Sequence, residues 1–337
     1  MKDKINVGII GFGYWGSIYK RVISEIDGIK IRYICDSNIN TKERLTDPIE
    51  FFDDPHKAIE YGGAEAIFIV TPANTHKEII IDALKHNINT YVEKPAVLSS
   101  LDLRDVLRSK NSETIFFPGH IYAHNELAKT FVQYIAEKQD EIISVLSSRK
   151  SFGPIRQDVG CLWDLFPHDL TIFDMLNIGL PSSVSCIGSH PLGNVNEDIA
   201  HCEIKYSGGV DTSSDLSWIY PNKVRQTSVL SSRSMYIFDE TNPFMPLGLI
   251  ECTNGISRCA NEIAYKRLSV EQYTTGIPYL SSEPLKNMVM SFISAITEGG
   301  TQADEEISRA KRLIPVIESA VESIIKGGKR INIKYDQ

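Results

Sequence analysis

The chain has 337 residues, 42% hydrophobic and 23% charged, a balance that excludes a disordered protein and suffices for two packed domains. Its formal net charge of -8 repels phosphate backbones and excludes general nucleic-acid binding, leaving room for a phosphorylated ligand held locally by backbone amides. No run approaches the roughly 18 apolar residues of a membrane span. The opening MKDKINVGIIGFG has no signal-peptide pattern. A cytoplasmic protein without a membrane partner is therefore expected. The six cysteines, Cys35, Cys161, Cys186, Cys202, Cys252 and Cys259, form no CxxC pair and read as free thiols of a reducing compartment.

Residues 5–10 (INVGII) read as a buried strand, 14–25 as a helix, 29–35 (IKIRYIC) as a second strand and 66–70 (AIFIV) as a third, followed by a helix over 75–86. A short strand at 89–92, a helix at 101–107 and an extended segment at 114–118 continue the alternation. Such alternation predicts a parallel sheet with helices on both faces. Beyond about residue 120 the texture changes. A helix is expected at 125–138, a strand at 142–152 and a helix at 163–177. The segments 183–188, 200–206, 210–219, 224–230 and 235–239 then alternate with a period of two, separated by signals such as Ser207-Gly208-Gly209, as antiparallel neighbours do. Helices at 284–298 and 305–326 and a strand at 330–334 close the chain. The expected division is a doubly wound nucleotide-binding domain over 1–120 and a second domain, on a larger and mostly antiparallel sheet, over 121–337.

Gly11-Phe12-Gly13-Tyr14-Trp15-Gly16 fits GxGxxG, directly after a strand and opening a helix. Gly11 permits the tight turn, Gly13 lets the backbone approach a pyrophosphate, and Gly16 lets helix and strand pack closely. The helix N-terminus presents unpaired amides and its positive dipole end to the phosphates. Asp36 ends the second strand, where a carboxylate binds both ribose hydroxyls of an adenosine and repels a 2′-phosphate. Ser37 and Asn38 follow it with no arginine or lysine, which favours NAD over NADP. The plainer alternative is a nucleotide-free glycine turn with Asp36 capping a loop.

Three further segments fall in order after the glycine turn: Thr71-Pro72-Ala73-Asn74-Thr75-His76, Glu93-Lys94-Pro95, and Trp163-Asp164-Leu165-Phe166-Pro167-His168-Asp169. Together they resemble the glucose–fructose oxidoreductase / inositol dehydrogenase / rhizopine catabolism (Gfo/Idh/MocA) family. The resemblance implies an α/β chain: an N-terminal Rossmann domain, doubly wound on a parallel sheet, and a C-terminal α/β domain on an open-faced, mostly antiparallel sheet. It also implies a nicotinamide cofactor, a sugar, polyol or nucleotide-sugar substrate, and association through the open sheet into homodimers or homotetramers.

Oxidising a secondary alcohol sends a hydride to the nicotinamide and a proton to a base. The resemblance assigns His168 as acid/base, Asp164 as its partner and Lys94 as the group beside the reacting hydroxyl. Four residues apart, Asp164 and His168 share a face if both are helical; Pro167 suits a first helical turn, so the alternative is a helix beginning near Phe166 with Asp164 just outside it. Glu93 is read as ordering Lys94 or the nicotinamide ribose. Thr71, Pro72, Asn74 and His76 are expected near the pyrophosphate and ribose, with Phe12, Tyr14 and Trp15 in the turn itself; an N-terminal helix position without a ligand fits His76 equally. His120, Tyr122 and His124 stand where many relatives carry an Arg-Phe-rich segment. His120, Tyr122, Arg149 and Trp163 are taken, with Asp164 and His168, as substrate-binding, and no metal is expected. Arg149, Lys150 and Arg156 offer positive charge for a nucleotide-sugar diphosphate, or else a solvated strand edge. Oxidation or reduction of a nucleotide-linked sugar is the favoured function. A dehydrogenase of a free sugar or inositol, and a non-catalytic NAD-binding sensor, are the alternatives.

Overall fold

The computed structural model describes residues 4–45, 47–251 and 274–335. Its first elements are β1 (Ile5–Ile10), α1 (Tyr14–Ser24), β2 (Ile29–Cys35), a 3-10 turn (Ile39–Arg44), β3 (Glu50–Phe52), α2 (Pro55–Tyr61), β4 (Ala66–Ile69), α3 (Ala73–Lys85), β5 (Asn89–Val92), α4 (Ser100–Ser109) and β6 (Phe116–Pro118). The six strands form one parallel sheet in the order β3-β2-β1-β4-β5-β6. The order reverses between β1 and β4, and the crevice at such a switch point, outside the carboxyl ends of the strands, is where ligands bind. The sequence pattern did not indicate β3 or α2. β3 has only three residues, but α2 carries recognisable signals: Asp54 accepts from the backbone N–H groups of His56 and Lys57, and Pro55 occupies the first turn.

A 3-10 turn (Ile121–His124) follows, then α5 (Glu126–Lys138), β7 (Ile142–Phe152), α6 (Cys161–Met175), β8 (Pro181–Ser189), β9 (Ile199–Tyr206), β10 (Asp211–Ser217), β11 (Ile219–Ser231), β12 (Ser234–Asp239), β13 (Leu247–Glu251), β14 (Thr274–Gly276), α7 (Pro284–Glu298), α8 (Thr301–Ile325) and β15 (Ile331–Asn332). Nine strands make the second sheet, β14-β13-β12-β11-β7-β10-β9-β8-β15, antiparallel except for the β7–β10 pair. The chain is α/β, with a parallel Rossmann sheet first and a mostly antiparallel sheet after it. β13 and β14 are additions to the elements expected from the sequence. Among the described cysteines, Cys35, Cys161, Cys186 and Cys202 are free and buried; Cys252 and Cys259 lie outside the described residues.

The chain segregates into two compact units, Met1–Ile121 with Glu283–Ile314, and Tyr122–Ser282 with Pro315–Tyr335. The second unit is thus not the continuous stretch 121–337: α7 and the first part of α8 return to the first. The cause is an aromatic core. Phe292 of α7 lies edge-on to Phe68 of β4 at 5.3 Å, and 5.8 and 5.7 Å from Tyr91 of β5 and Phe117 of β6. All four rings are fully buried, and each such pair adds about 0.5–1.5 kcal/mol beyond simple burial. Without α7 this face of the parallel sheet would expose those rings to water.

Candidate active site

The glycine turn joins β1 to α1, and each glycine has a separate reason to be there. Gly11 has φ +93, and a Cβ on it would meet the Val70 carbonyl carbon and oxygen at 2.7 Å. A Cβ on Gly16 would lie 2.2 Å from the Gly11 oxygen, so helix and turn can touch only through glycine. A Cβ on Gly13 meets nothing within 4 Å among the described residues. Gly13 therefore serves no internal packing need; the space in front of it suits a close-approaching ligand. Asp36 accepts the Phe12 N–H at 2.6 Å on one carboxylate oxygen and the Asn38 N–H at 2.9 Å on the other. Its orientation is thereby fixed while lone pairs remain for a diol. Phe12 is buried, but Tyr14 and Trp15 are 77% and 47% exposed and meet edge-to-face at 5.8 Å. Open space at Gly13, helix amides behind it and an oriented carboxylate across the crevice fit an adenine dinucleotide.

At the ends of β4 and β5 the other two motifs lie side by side. The Thr75 hydroxyl donates to the Pro72 carbonyl at 2.8 Å and lies 2.7 Å from the Thr71 hydroxyl, closing the turn into α3, while Asn74 is exposed. His76 is buried, with Nδ1 2.9 Å from the Pro95 carbonyl and Nε2 2.9 Å from the Thr71 carbonyl. It clamps one loop to the other, which is its visible role. The Lys94–Pro95 peptide is cis. Lys94 is half-buried, and its backbone N–H donates to Glu93 at 3.0 Å. The other Glu93 oxygen accepts from the Tyr19 hydroxyl of α1. His120, expected at the substrate, has Nδ1 2.6 Å from Glu306 of α8, and Glu306 in turn holds Arg309 at 2.5 Å. Its side chain is only 10% exposed.

In the second unit, α6 carries Trp163, Asp164 and His168, all half-buried. The helix begins at Cys161, so Asp164 lies inside its first turn and on the same helix as His168, not outside a helix starting near Phe166. Pro167 is tolerated because the end before it is anchored: Glu197 accepts the Cys161 N–H on its backbone at 3.0 Å and the Leu162 N–H on its carboxylate at 2.8 Å. Gly160 makes room, since a Cβ there would lie 2.1 Å from that carboxylate. Burial raises the Glu197 carboxyl above the ordinary glutamate range.

Arg149 and Tyr122, expected at the substrate, are both buried and bonded to each other. Strand alternation turns Val145, Ser147 and Arg149 of β7 inward. Arg149 donates to Asp169 at 2.7 Å and to the Tyr122 hydroxyl at 2.6 Å, and its guanidinium sits 4.7 Å from the Tyr122 ring centroid. The Tyr122 hydroxyl donates to Glu240, which is 3.7 Å from Arg149. Ser147 donates to the other Asp169 oxygen at 2.7 Å. Burial works against the Arg149 cation, but Tyr122, Asp169 and Glu240 outweigh it and hold the guanidinium charged. The Tyr122 ring lies 5.1 Å from that of His168. These residues form a buried frame beside the proposed base. The other cations are also engaged: Lys150 pairs with Asp215 at 3.2 Å, and Arg156 with Asp158 at 2.6 Å and Asp164 at 3.2 Å. Asp169, Glu197, Glu240, Tyr19 and Tyr91 were missed, because nothing in local spacing marks a buried partner donated by a distant strand or helix.

Residues 5–120 match the model of the Gfo/Idh/MocA family, an oxidoreductase family with an NAD-binding Rossmann fold. That match covers about a third of this chain. The glycine turn and the parallel sheet fall within the matched segment, which corresponds to an NAD-binding Rossmann fold. A myo-inositol 2-dehydrogenase of Thermotoga maritima is 24% identical over 219 residues, 62% of this chain and 63% of that relative. An inositol dehydrogenase homologue of Azotobacter vinelandii, solved with NADH and myo-inositol, superposes with a TM-score of 0.77 at 17% identity over 98% of each chain. A UDP-N-acetylglucosamine 3-dehydrogenase, GnnA of Acidithiobacillus ferrooxidans, superposes with a TM-score of 0.73 at 16% identity over 95% of this chain and 99% of that one. At such identities the structural likeness establishes the fold of both units. The matched stretches span about a third of the first curated relatives, 32% of each. Among the described residues no group of histidine, cysteine, aspartate and glutamate is arranged to hold a metal, and no helix is long and apolar enough to cross a membrane.

Proposed function

We propose that this protein is an NAD-dependent dehydrogenase or reductase acting on a secondary alcohol or ketone of a sugar or cyclitol. The observation that carries the reading is the Lys94 turn at the carboxyl end of β5, in the same unit as a glycine turn whose Gly13 faces open space. When bound, NAD supplies the hydride acceptor or, as NADH, the donor. Gly13 and the first amides of α1 hold its pyrophosphate, and Asp36 holds the adenosine ribose. Lys94 donates to the reacting oxygen and stabilises the charge developing there. His168 takes the hydroxyl proton in oxidation and returns it in reduction, with its ring braced by Tyr122. Asp164, shared with Arg156, orients the imidazole or a neighbouring substrate hydroxyl.

The internal pairing of Arg149, Lys150 and Arg156 favours an uncharged substrate over a nucleotide-linked sugar, because a diphosphate would have to compete with buried or half-buried carboxylates for each cation. Association of two or more copies through the second sheet belongs to the same reading. One face of that sheet presents Leu146, half exposed, beside the His201–Asp215–Lys150 cluster. Fluorescence titration with NADH and NADPH, followed by turnover on myo-inositol, free hexoses and UDP-sugars, tests the proposal. Tighter binding of NADH and turnover of an uncharged polyol are expected, with at least 100-fold loss of kcat in Lys94→Ala and His168→Ala. Wild-type turnover in both variants would overturn the catalytic assignment. NADH binding without turnover on any member of the panel would favour the sensor.

A further inference from the structure

We propose that Tyr19 is a positioning residue for Lys94, acting through the Glu93 carboxylate. The proposal rests on the reading that Lys94 meets the reacting oxygen. Tyr19 stands on α1 three residues after Gly16, and its side chain is fully buried. Its hydroxyl donates to one oxygen of Glu93, while the other oxygen accepts the backbone N–H of Lys94 at 3.0 Å. The carboxylate thus passes a constraint from the helix behind the glycine turn to the backbone of the lysine. Tyr91, also fully buried, completes the chain: its hydroxyl is 2.6 Å from that of Tyr19 and 3.5 Å from the Met288 sulfur of α7.

With Glu93 ionised, its carboxylate is the strongest acceptor of the cluster and is reached by both tyrosine hydroxyls. Tyr19 gives its proton to the carboxylate, and Tyr91 gives its proton to the Tyr19 oxygen or to the carboxylate itself. Each bond polarises the next in a region shielded from water. Burial and the neighbouring Glu93 charge push the Tyr19 phenol well above its ordinary range, so it remains a donor throughout the working pH of an enzyme. On the far side of the turn, His76 holds the Pro95 carbonyl. The lysine turn is therefore held from two helices, one by a group that no motif contains. Tying α1 to Lys94 also makes the segment facing the pyrophosphate and the segment facing the reacting oxygen one mechanical piece.

The test measures Lys94 itself. Kinetic labelling of NAD-loaded protein with a trace of acetic anhydride, quantified by mass spectrometry, gives the reactivity of Lys94 relative to exposed Lys138. In Tyr19→Phe the relative rate at Lys94 is expected to rise at least threefold, because the released turn samples more open positions. Glu93→Gln should act similarly, and the double variant should change no further than Glu93→Gln alone. On the best substrate of the panel, kcat should fall at least tenfold in Tyr19→Phe with KM within twofold. Unchanged labelling in Tyr19→Phe would overturn the inference, and so would additive effects in the double variant. Wild-type turnover of Lys94→Ala would instead sink the catalytic reading of the lysine while leaving the labelling result to judge the positioning.

Discussion

Gly13→Ala separates a ligand-facing glycine from a structural one. The new methyl would enter space that no described residue approaches within 4 Å, and Gly13 has φ -75, which alanine adopts readily. Two small stability terms then oppose each other. Alanine loses less backbone entropy on folding, worth about 0.4–1 kcal/mol. Against this, alanine caps a helix less well than glycine by up to about 1 kcal/mol, and Gly13 caps α1. The net change should stay within about 1 kcal/mol, which moves the melting temperature by no more than a few degrees, roughly 2–4 °C. Cofactor affinity should respond differently. A methyl at the pyrophosphate position costs at least one charge-assisted hydrogen bond to the turn amides, about 1.5–3 kcal/mol, or roughly 10- to 150-fold in Kd. Gly16→Ala is the control, since its Cβ would lie 2.2 Å from the Gly11 oxygen and should destabilise the fold outright. NADH titration by fluorescence and thermal unfolding of the three proteins provide the measurements. If Gly13→Ala bound NADH as tightly as wild type, the turn would not approach a pyrophosphate and the argument from its open space would fail.

Other variants examine the frame around the site. Arg149→Met should lower the melting temperature by roughly 6–20 °C, because a buried Asp169 carboxylate left unpaired costs about 3–5 kcal/mol; an effect on KM alone, with stability intact, would instead return Arg149 to substrate binding. The Tyr33 hydroxyl is buried with no hydrogen-bond partner among the described residues, while its ring fills space left by Gly8 and Gly62. Tyr33→Phe should therefore be neutral or more stable by about 1 kcal/mol in denaturant unfolding, and a clear loss of stability would mean the hydroxyl has a partner such as a buried water. Glu197 carries a raised carboxyl, so the folded protein holds its proton more tightly than the unfolded chain does. Its contribution is fully present below the ordinary glutamate range and is lost as pH rises through the elevated value. Glu197→Gln keeps an acceptor for the Leu162 N–H and should flatten that decline in a pH series of unfolding measurements; an unchanged slope would place the titration elsewhere.

Much of the first unit is readable in local chemistry alone. The Gly11–Gly16 turn, Asp36 and the strand–helix alternation depend on φ angles, close approaches and side-chain periods, all written in neighbouring residues. The second sheet is legible for the same reason wherever its strands alternate, as in β9 and β12. Spacing places Asp164 and His168 four residues apart but does not decide whether one helix holds both. Glu197 decides that, reaching the start of α6 from the segment before β9.

Arg149 shows the limit most plainly. On a strand otherwise rich in serine, a basic residue next to a lysine looks like solvent or ligand chemistry. Only the face covered by α6 makes it a buried counter-ion of Asp169. The same holds for Tyr19, an ordinary aromatic in a helix until β5 brings Glu93 against it, and for α7, an amphipathic helix until Phe292 meets the rings of the first sheet. The sequence by itself determined the turn, the order of the elements and the kinds of chemistry available. The tertiary structure alone decided which charges are matched internally, because burial and pairing belong to groups far apart in the chain, and their energies exist only once those groups are brought together out of water.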